Sequence, residues 1–392
     1  MVFAYYRVLI HSLLCGLDMF AYFCNMNFTK VTFSSNHNEE FYSTLKQRVN
    51  QYFKSKNISK HANAGMVVKT IFMLSLYLIP FSLLFINFSS SFFYLLLWVI
   101  MGFGMAGVGL SVMHDANHGT YSKNQKVNGI IGKVLVLLGG SDVNWRIQHN
   151  VLHHTYTNVT DVDEDIAPPS FLLRFSPHSK RYAIHRYQFL YAWFLYGLMT
   201  LMWFITKDFN QAIRYKNKDL LKSQGLSLNK HLFSIVIFKL IYTTVFILSP
   251  LVFSPATWYV SLIGFLIMQF IAGFVLSVIF QPAHVVPMSN FPIPDDSGNI
   301  EADWAVSQLI NTANFAPKAY LLSWYVGGLN YQIEHHLFPN ICHIHYRKIA
   351  KIVEETAKEF HLPYHSYKTF FGALVDHGKL LYKLGQKDVA LA

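Results

Sequence analysis

The 392-residue chain is 53% hydrophobic, only 14% charged and carries a net charge of +11. Soluble domains hold nearer a quarter charged residues, so this composition excludes an ordinary water-facing surface and points to a membrane. The positive charge is spread through polar segments without a basic stripe, which suits loops against anionic lipid heads and excludes a nucleic-acid partner.

Residues 1–25 contain an apolar stretch over 8–24, preceded by Arg7 and broken by Asp18. This stretch is expected to be a signal-like segment or an extension upstream of a start at Met26. Residues 26–69 carry Lys46, Arg48, Lys54, Lys56, Lys60 and Lys69 and read as a cytoplasmic segment.

Residues 70–113 then run for 44 positions without a charge, ending one step before His114. One bilayer crossing takes about 20 apolar residues, so this run is long enough to cross and return. Its expected turn is 87–91. Residues 240–283 repeat the pattern: 44 uncharged positions, a turn at 254–256, and a histidine, His284, one step beyond. The segments before, between and after both hairpins are basic, so both hairpins are expected to start and end on the cytoplasmic side. That places His114 and His284 at one membrane face. The expected fold class is therefore all-α integral membrane: two hairpins, four spans, and a cytoplasmic helical cap. The membrane domain would cover 70–364 and a cytoplasmic tail 365–392.

Two further segments are apolar. Residues 134–140 are too short to cross and are expected to be interfacial or packed on the domain. Residues 187–206 are uncharged, but both flanks are basic. A crossing there would put His284 opposite His114, so an in-plane or half-inserted helix is expected. Cys15, Cys24 and Cys342 stand apart, with no metal or redox spacing.

Any metal must therefore be held by other residues, and 19 histidines are available. His114 and His118 are spaced i, i+4. His149 and His153 repeat that spacing, and His154 adds a neighbour. Gln332, His335 and His336 stand at i, i+3 and i+4. On a helix each set shares a face. Neutral imidazole is a strong ligand for iron, copper, zinc and nickel, and brings no charge to a site that must admit an apolar chain. A lipid chain could reach such a site from the membrane and an electron donor from the cytosol. His343 and His345 read as loop residues. The remaining histidines, including His185, His231 and His377, read as surface or interface residues. The acidic run Asp161, Asp163, Glu164 and Asp165 reads as a solvated loop. Asp115 and Asn117 could orient imidazoles or merely be polar helix surface. Trp145 and Tyr331 could line the site, although belt aromatics are commoner.

The words HDANHGTYS, NWRIQHNVLHHTYTNVTDVDEDI and GGLNYQIEHHLFPNICHIHY resemble the three histidine boxes of membrane fatty-acid desaturases, and the likeness runs from about Lys46 to Tyr364. It is nearest to bacterial acyl-lipid or acyl-CoA desaturases similar to linoleoyl-CoA desaturase, in the bacterial plasma membrane. The resemblance implies two iron ions, O2 as co-substrate and an external electron donor. It implies His114, His118, His149, His153, His154, His335 and His336 as ligands and catalytic residues. It adds His284, in FQPAH, as a ligand from the fourth span.

Two departures matter. Gln332 stands where many desaturases have His, as in front-end enzymes that insert a double bond on the carboxyl side of an existing one. It could ligate, hold a water or only hydrogen-bond. No HPGG haem motif occurs, and about 45 residues from Met26 to the membrane are too few for a fused cytochrome domain. Ferredoxin or free cytochrome b5 is then the expected donor. The competing readings are a hydroxylase or ketolase on the same scaffold, and a non-catalytic haem carrier or metal transporter. Ionisable residues inside the spans would favour a transporter, and neither uncharged run has any.

The in-plane expectation has a direct check. Cysteines placed at Ser179 and Ser223 should label from the same side of the membrane; labelling from opposite sides would make 187–206 a crossing.

Overall fold

The computed structural model describes residues 31–34, 39–167 and 171–387. The expectations for residues 1–25, the start at Met26, Cys15 and Cys24 lie outside that range. Among the described residues four helices are long and apolar enough to cross a membrane: α2 (Ala64–Leu83), α3 (Ser91–Asn117), α8 (Leu228–Phe253) and α9 (Trp258–His284). α1 (Glu39–Lys56) precedes them. Asn63 caps α2 by accepting from the Met66 N–H, and Ser90 caps α3 by accepting from Phe92. Between the spans lie α4 (Gln125–Gly132), α5 (Asp142–Trp145), α6 (Ala183–Gly197) and α7 (Met199–Asn217).

The spans outrun the charge-free runs. α2 begins six residues before residue 70, and α8 twelve before residue 240. Both take in lysines that a charge-free rule rejects. For Lys69 and Lys239 the reason is pairing: Lys239 Nζ reaches Asp208 Oδ2 at 2.5 Å and the carbonyls of Gly139 and Trp203. Lys69 Nζ lies 2.8 Å from His343 Nε2. A charge that is satisfied inside the protein no longer faces lipid. Residues 134–140 pack as expected, with Leu135 and Leu138 buried in the core between the spans. The uncharged segment 187–206 lies in α6 and α7, which bend by 60° at their junction.

α3 packs along both α2 and α9. Small residues allow the close approach that apolar spans use in place of a hydrophobic driving force. A Cβ on Gly104 would stand 2.6 Å from the Tyr77 backbone nitrogen, and one on Gly264 2.0 Å from the Trp98 ring. Tyr77 donates to the Leu137 carbonyl at 2.8 Å, which ties α2 to the segment after α4.

The rest of the described chain adds five shorter helices after α9. It holds α10 (Trp304–Asn311), α11 (Tyr320–Tyr325), α12 (Gln332–Leu337), α13 (Tyr346–Glu359) and α14 (Phe370–Gly385). A second core buries Phe41, Leu45 and Val49 of α1 against Ile333, Leu337, Ile349 and Val353. The all-α expectation needs one small amendment. Two parallel pairs of two-residue strands join distant segments: β1 (Thr32–Phe33) with β2 (Asn299–Ile300), and β3 (Asn314–Phe315) with β4 (Ser366–Tyr367). His185, His231 and His377 are buried, not superficial. Each has a polar partner: the Phe171 carbonyl, Asn144 Oδ1, and the Tyr196 hydroxyl with the Val285 carbonyl, respectively.

The Gly104 approach gives a stability test. Gly104→Ala should cost at least about 1–3 kcal/mol, because the obstructing atoms are backbone and cannot swing aside. Thermal unfolding of the detergent-solubilised chain should show a lowered midpoint; an unchanged midpoint would contradict the α2–α3 contact.

Candidate metal centre

The local backbone prepares the histidines. α3 loosens into a π-helical turn at Val108–Met113 and delivers His114 and His118 from its last turn. A second π-helical segment, Arg146–His153, follows α5 and carries the second box. There the His154 N–H bonds to the His149 carbonyl, five residues back, at 3.0 Å. The wider turn lets His149, His153 and His154 crowd one side: ring centroids are 5.2 Å apart for His149–His153 and 4.8 Å for His149–His154. α9 ends on His284, just after Pro282. α12 carries Gln332, His335 and His336, all fully buried.

All eight expected histidines converge. His114, His118, His149 and His335 offer nitrogens within 4.8 Å of one another, and so do His153, His284 and His336. His154 forms a further such group with His335 and His336, and thus stands between the two sets. Its Nε2 lies 3.0 Å from His335 Nε2 and 3.3 Å from His149 Nε2. Nitrogens this close either share a proton in a hydrogen bond or, where both are unprotonated, call for a cation between them.

The other ring nitrogens explain the aim. His153 Nδ1 lies 2.8 Å from Asp163 Oδ2, and His149 Nδ1 2.5 Å from Asp165 Oδ2. His336 Nδ1 lies 2.9 Å from Gln308 Oε1, and His335 Nδ1 3.1 Å from the Tyr346 hydroxyl. A carboxylate or amide oxygen fixes the proton on Nδ1 and leaves Nε2 a free lone pair, the usual support for a metal-binding histidine. Nε2 of His153 and of His336, and both ring nitrogens of His114 and His284, are buried without a hydrogen-bond partner. Buried polar atoms are rarely left so, and a metal ion satisfies them. Burial, then the neighbouring imidazoles, pushes His149, His154, His335 and His336 well below the usual histidine range, so these rings are neutral and able to ligate. His153 differs: burial opposes its charge, but Asp163 and Asp165 outweigh it and raise its pKa. The two carboxylates favour a cation at that ring. An all-nitrogen buried donor set fits transition metals, not magnesium or calcium.

Gln332 is buried and neither amide atom has a hydrogen-bond partner. Trp145 is a wall of the site, its ring centroid 4.5 Å from that of His149 and 5.5 Å from that of His114. Tyr331 instead donates to the Pro317 carbonyl at 2.6 Å. Asn117 touches no imidazole through hydrogen bonds. It donates to Met113 and Gly132 carbonyls and accepts from Arg146 and, at its carbonyl, from Asn150. It therefore staples the first box to the second.

Two expectations need correcting. The acidic run is not a solvated loop. Only Asp161 is exposed; Asp163 is fully buried under His153, Asp165 holds His149, and Glu164 pairs with Arg214 and Tyr215. A turn that brings Asp163 to accept the Asn158 and Asp165 N–H groups folds the acids inward. Nor is His343 a free loop residue. Asp115 Oδ2 accepts from His343 Nδ1 at 2.7 Å and from the Cys342 thiol at 2.9 Å, and His343 Nε2 meets Lys69. This closed network locks α2, α3 and the segment after α12 together. His345 is buried as well, with Nε2 3.4 Å from the His61 carbonyl. Gln308, Tyr346 and Thr157, whose hydroxyl lies 3.1 Å from His336 Nδ1, carried no signal in the sequence, because none stands at a fixed spacing from a box.

Known proteins share this arrangement of sequence. A family model described as fatty acid desaturase matches residues 89–368. The chain is 36% identical to a sn-1 linoleoyl-lipid 6-desaturase of Arthrospira platensis, over 91% of this chain and 95% of that protein. It is 37% identical to an acyl-lipid (8-3)-desaturase of Physcomitrium patens, over 93% of this chain and 76% of the other. A sn-1 linoleoyl-lipid 6-desaturase of Synechocystis sp. is 34% identical over 88% of this chain and 96% of its own length.

The support of Nδ1 can be tested apart from any reaction. Asp163→Asn should weaken metal binding roughly 10–100-fold, since the amide no longer holds the imidazole proton as firmly. Competition against a chelator measures it; parent-like affinity would remove Asp163 from the site.

Proposed function

The chain belongs to the fatty acid desaturase family, and from that premise we propose that its eight converging histidines hold two iron ions. It is a fatty-acid desaturase, an oxidoreductase that introduces double bonds into acyl chains. One ion is assigned to His114, His118, His149 and His335, the other to His153, His284 and His336, with His154 between them. The observation that carries this is the set of buried, partnerless Nε2 atoms whose Nδ1 counterparts are pinned. When bound, the two irons would supply the activation of dioxygen needed to take two hydrogens from an unactivated alkyl chain.

The chain's own residues do the rest. Asp163, Asp165 and Gln308 hold the imidazoles in one tautomer and one direction. The burial of every box histidine except His118, which is partly exposed, keeps bulk water from competing with an apolar substrate. Trp145 closes one side of the His114–His149 set with an aromatic face. Gln332, lacking the imidazole found in many desaturases, leaves the third box one nitrogen ligand short. Together with relatives named for linoleoyl-lipid 6- and acyl-lipid (8-3)-desaturation, this supports an acyl-lipid substrate and front-end placement of the new double bond.

The two hairpins would enter from one side, with the cap and both sets of histidines on the cytoplasmic face of a bacterial plasma membrane. The in-plane placement of α6 and α7 and the division at residues 70 and 364 belong to the same proposal. Electrons would come from a separate carrier, ferredoxin or cytochrome b5, approaching that face.

Expression in a host fed defined acyl chains tests the reading. The parent chain should yield a new double bond on the carboxyl side of an existing one. His153→Ala should yield none while inserting normally in the membrane, because that residue lies outside the four spans. A hydroxyl product from the parent, or double bonds from His153→Ala, would overturn it.

A further inference from the structure

The segment that follows the third box also builds the wall of a second feature. An open cleft of about 370 Å³ lies between α1, the stretch before α2, the loop after α3, and Phe338, Asn340 and Ile341. Lys46, Lys60, Lys123 and His61 face it, and among the described residues no carboxylate lines it. Its floor is apolar, from the buried side chains of Phe338 and Ile341. Lys46 also lies 4.6 Å above the Tyr42 ring, which keeps the ammonium at the rim.

Height and linkage narrow what would sit there. Lys60 comes four residues before α2 and Lys123 six after α3, so both stand where the first hairpin ends. That is the level of lipid headgroups. The wall is strapped to the metal site's surroundings: the Cys342 N–H donates to the Lys60 carbonyl at 2.9 Å, and His345 Nε2 reaches the His61 carbonyl. Cys342 in turn bonds Asp115, beside His114.

We propose that this cleft binds the phosphate of the acyl carrier's polar end. Three lysines with no ion-pair partner among the described residues call for an anion, and an ammonium is a compact point charge suited to phosphate. The volume suits a headgroup, whereas a protein partner needs a broad face. The apolar floor suits the glycerol or linker carbons next to the phosphate. A phospholipid headgroup and the phosphates of a thioester carrier share this chemistry. The inference rests on the desaturase reading above and gives it a substrate class: a phosphate-bearing acyl carrier in preference to a neutral glycolipid.

Equilibrium binding to the full-length chain in neutral detergent tests it. The probes are dihexanoylphosphatidylglycerol, free coenzyme A, inorganic phosphate and a short-chain galactolipid. Phosphatidylglycerol or coenzyme A should bind at least tenfold more tightly than the galactolipid, and weaken with added salt. Whichever of the two binds more tightly identifies the source. The triple variant Lys46→Ala/Lys60→Ala/Lys123→Ala should lose tenfold or more for that probe, as should Lys60→Glu, a second variant in case the triple one misfolds. His153→Ala should bind it like the parent, so a failure of the chemistry and a failure of the cleft are separate results. The proposal falls if inorganic phosphate alone binds. It falls if the galactolipid binds equally well, or if the lysine variants keep parent affinity. Loss of binding to an acidic electron carrier with lipid binding intact would likewise overturn it.

Discussion

Eight imidazoles cannot be packed in contact inside a protein if they are protonated, and cannot be aimed at each other's lone pairs if they are neutral and alone. The core of this molecule is arranged around that conflict. Each pinned ring has its proton directed outward to an oxygen acceptor, Asp163, Asp165 or Gln308, so that the inward nitrogen is bare. Burial and the neighbouring imidazoles hold His149, His154, His335 and His336 below the usual histidine range, and the acceptors keep the pinned rings from turning. The outcome is a cluster of inward nitrogens disposed to hold cations.

Placing eight such rings together requires elements from the whole length of the chain. α3 and α9 supply the ends of two spans, the π-helical segment after α5 and the residue that caps it supply three rings, and α12 supplies two. These elements are held by polar staples as much as by apolar packing. Asn117 links the first box to the second, and Asn158 donates to the His284 carbonyl at 2.9 Å. Asp115 gathers Cys342 and His343. Hydrogen bonds of this kind carry direction, which dispersion does not, and direction is what a ligand set needs. The apolar spans set the depth of the site; the staples set its geometry.

The histidines and the spans were legible in the sequence for a simple reason. Both are periodic: an i, i+4 pair or a long uncharged run announces itself without knowledge of the fold. His284 could be found because two runs of equal length each end one step before a histidine. What stayed hidden depends on tertiary pairing. Asp163 and Asp165 look like a hydrated loop until the turn at Asn158 folds them under His153 and His149. Gln308 sits in α10, 28 residues from His336, with nothing in the spacing to join them. α2 and α8 begin before the uncharged runs because Lys69 and Lys239, which read as water-facing ends, each find a partner inside. Composition judges a residue by its own solubility, whereas the fold judges it by its company.

The π-helical turns carry one more residue per hydrogen-bonded ring than an α-helical turn. Between Gly107 and His114, and again from Arg146 to His153, the count of residues is thus as much a part of the site as their identity. A deletion of one there would restore ordinary helix but change which side chains share a side, because about five π-helical residues make the turn that about four α-helical ones make. The locally more regular helix would be the one that points its imidazoles away from their partners. In this chain, imperfection of the helix is an angular gauge, and the ligand set is calibrated to it.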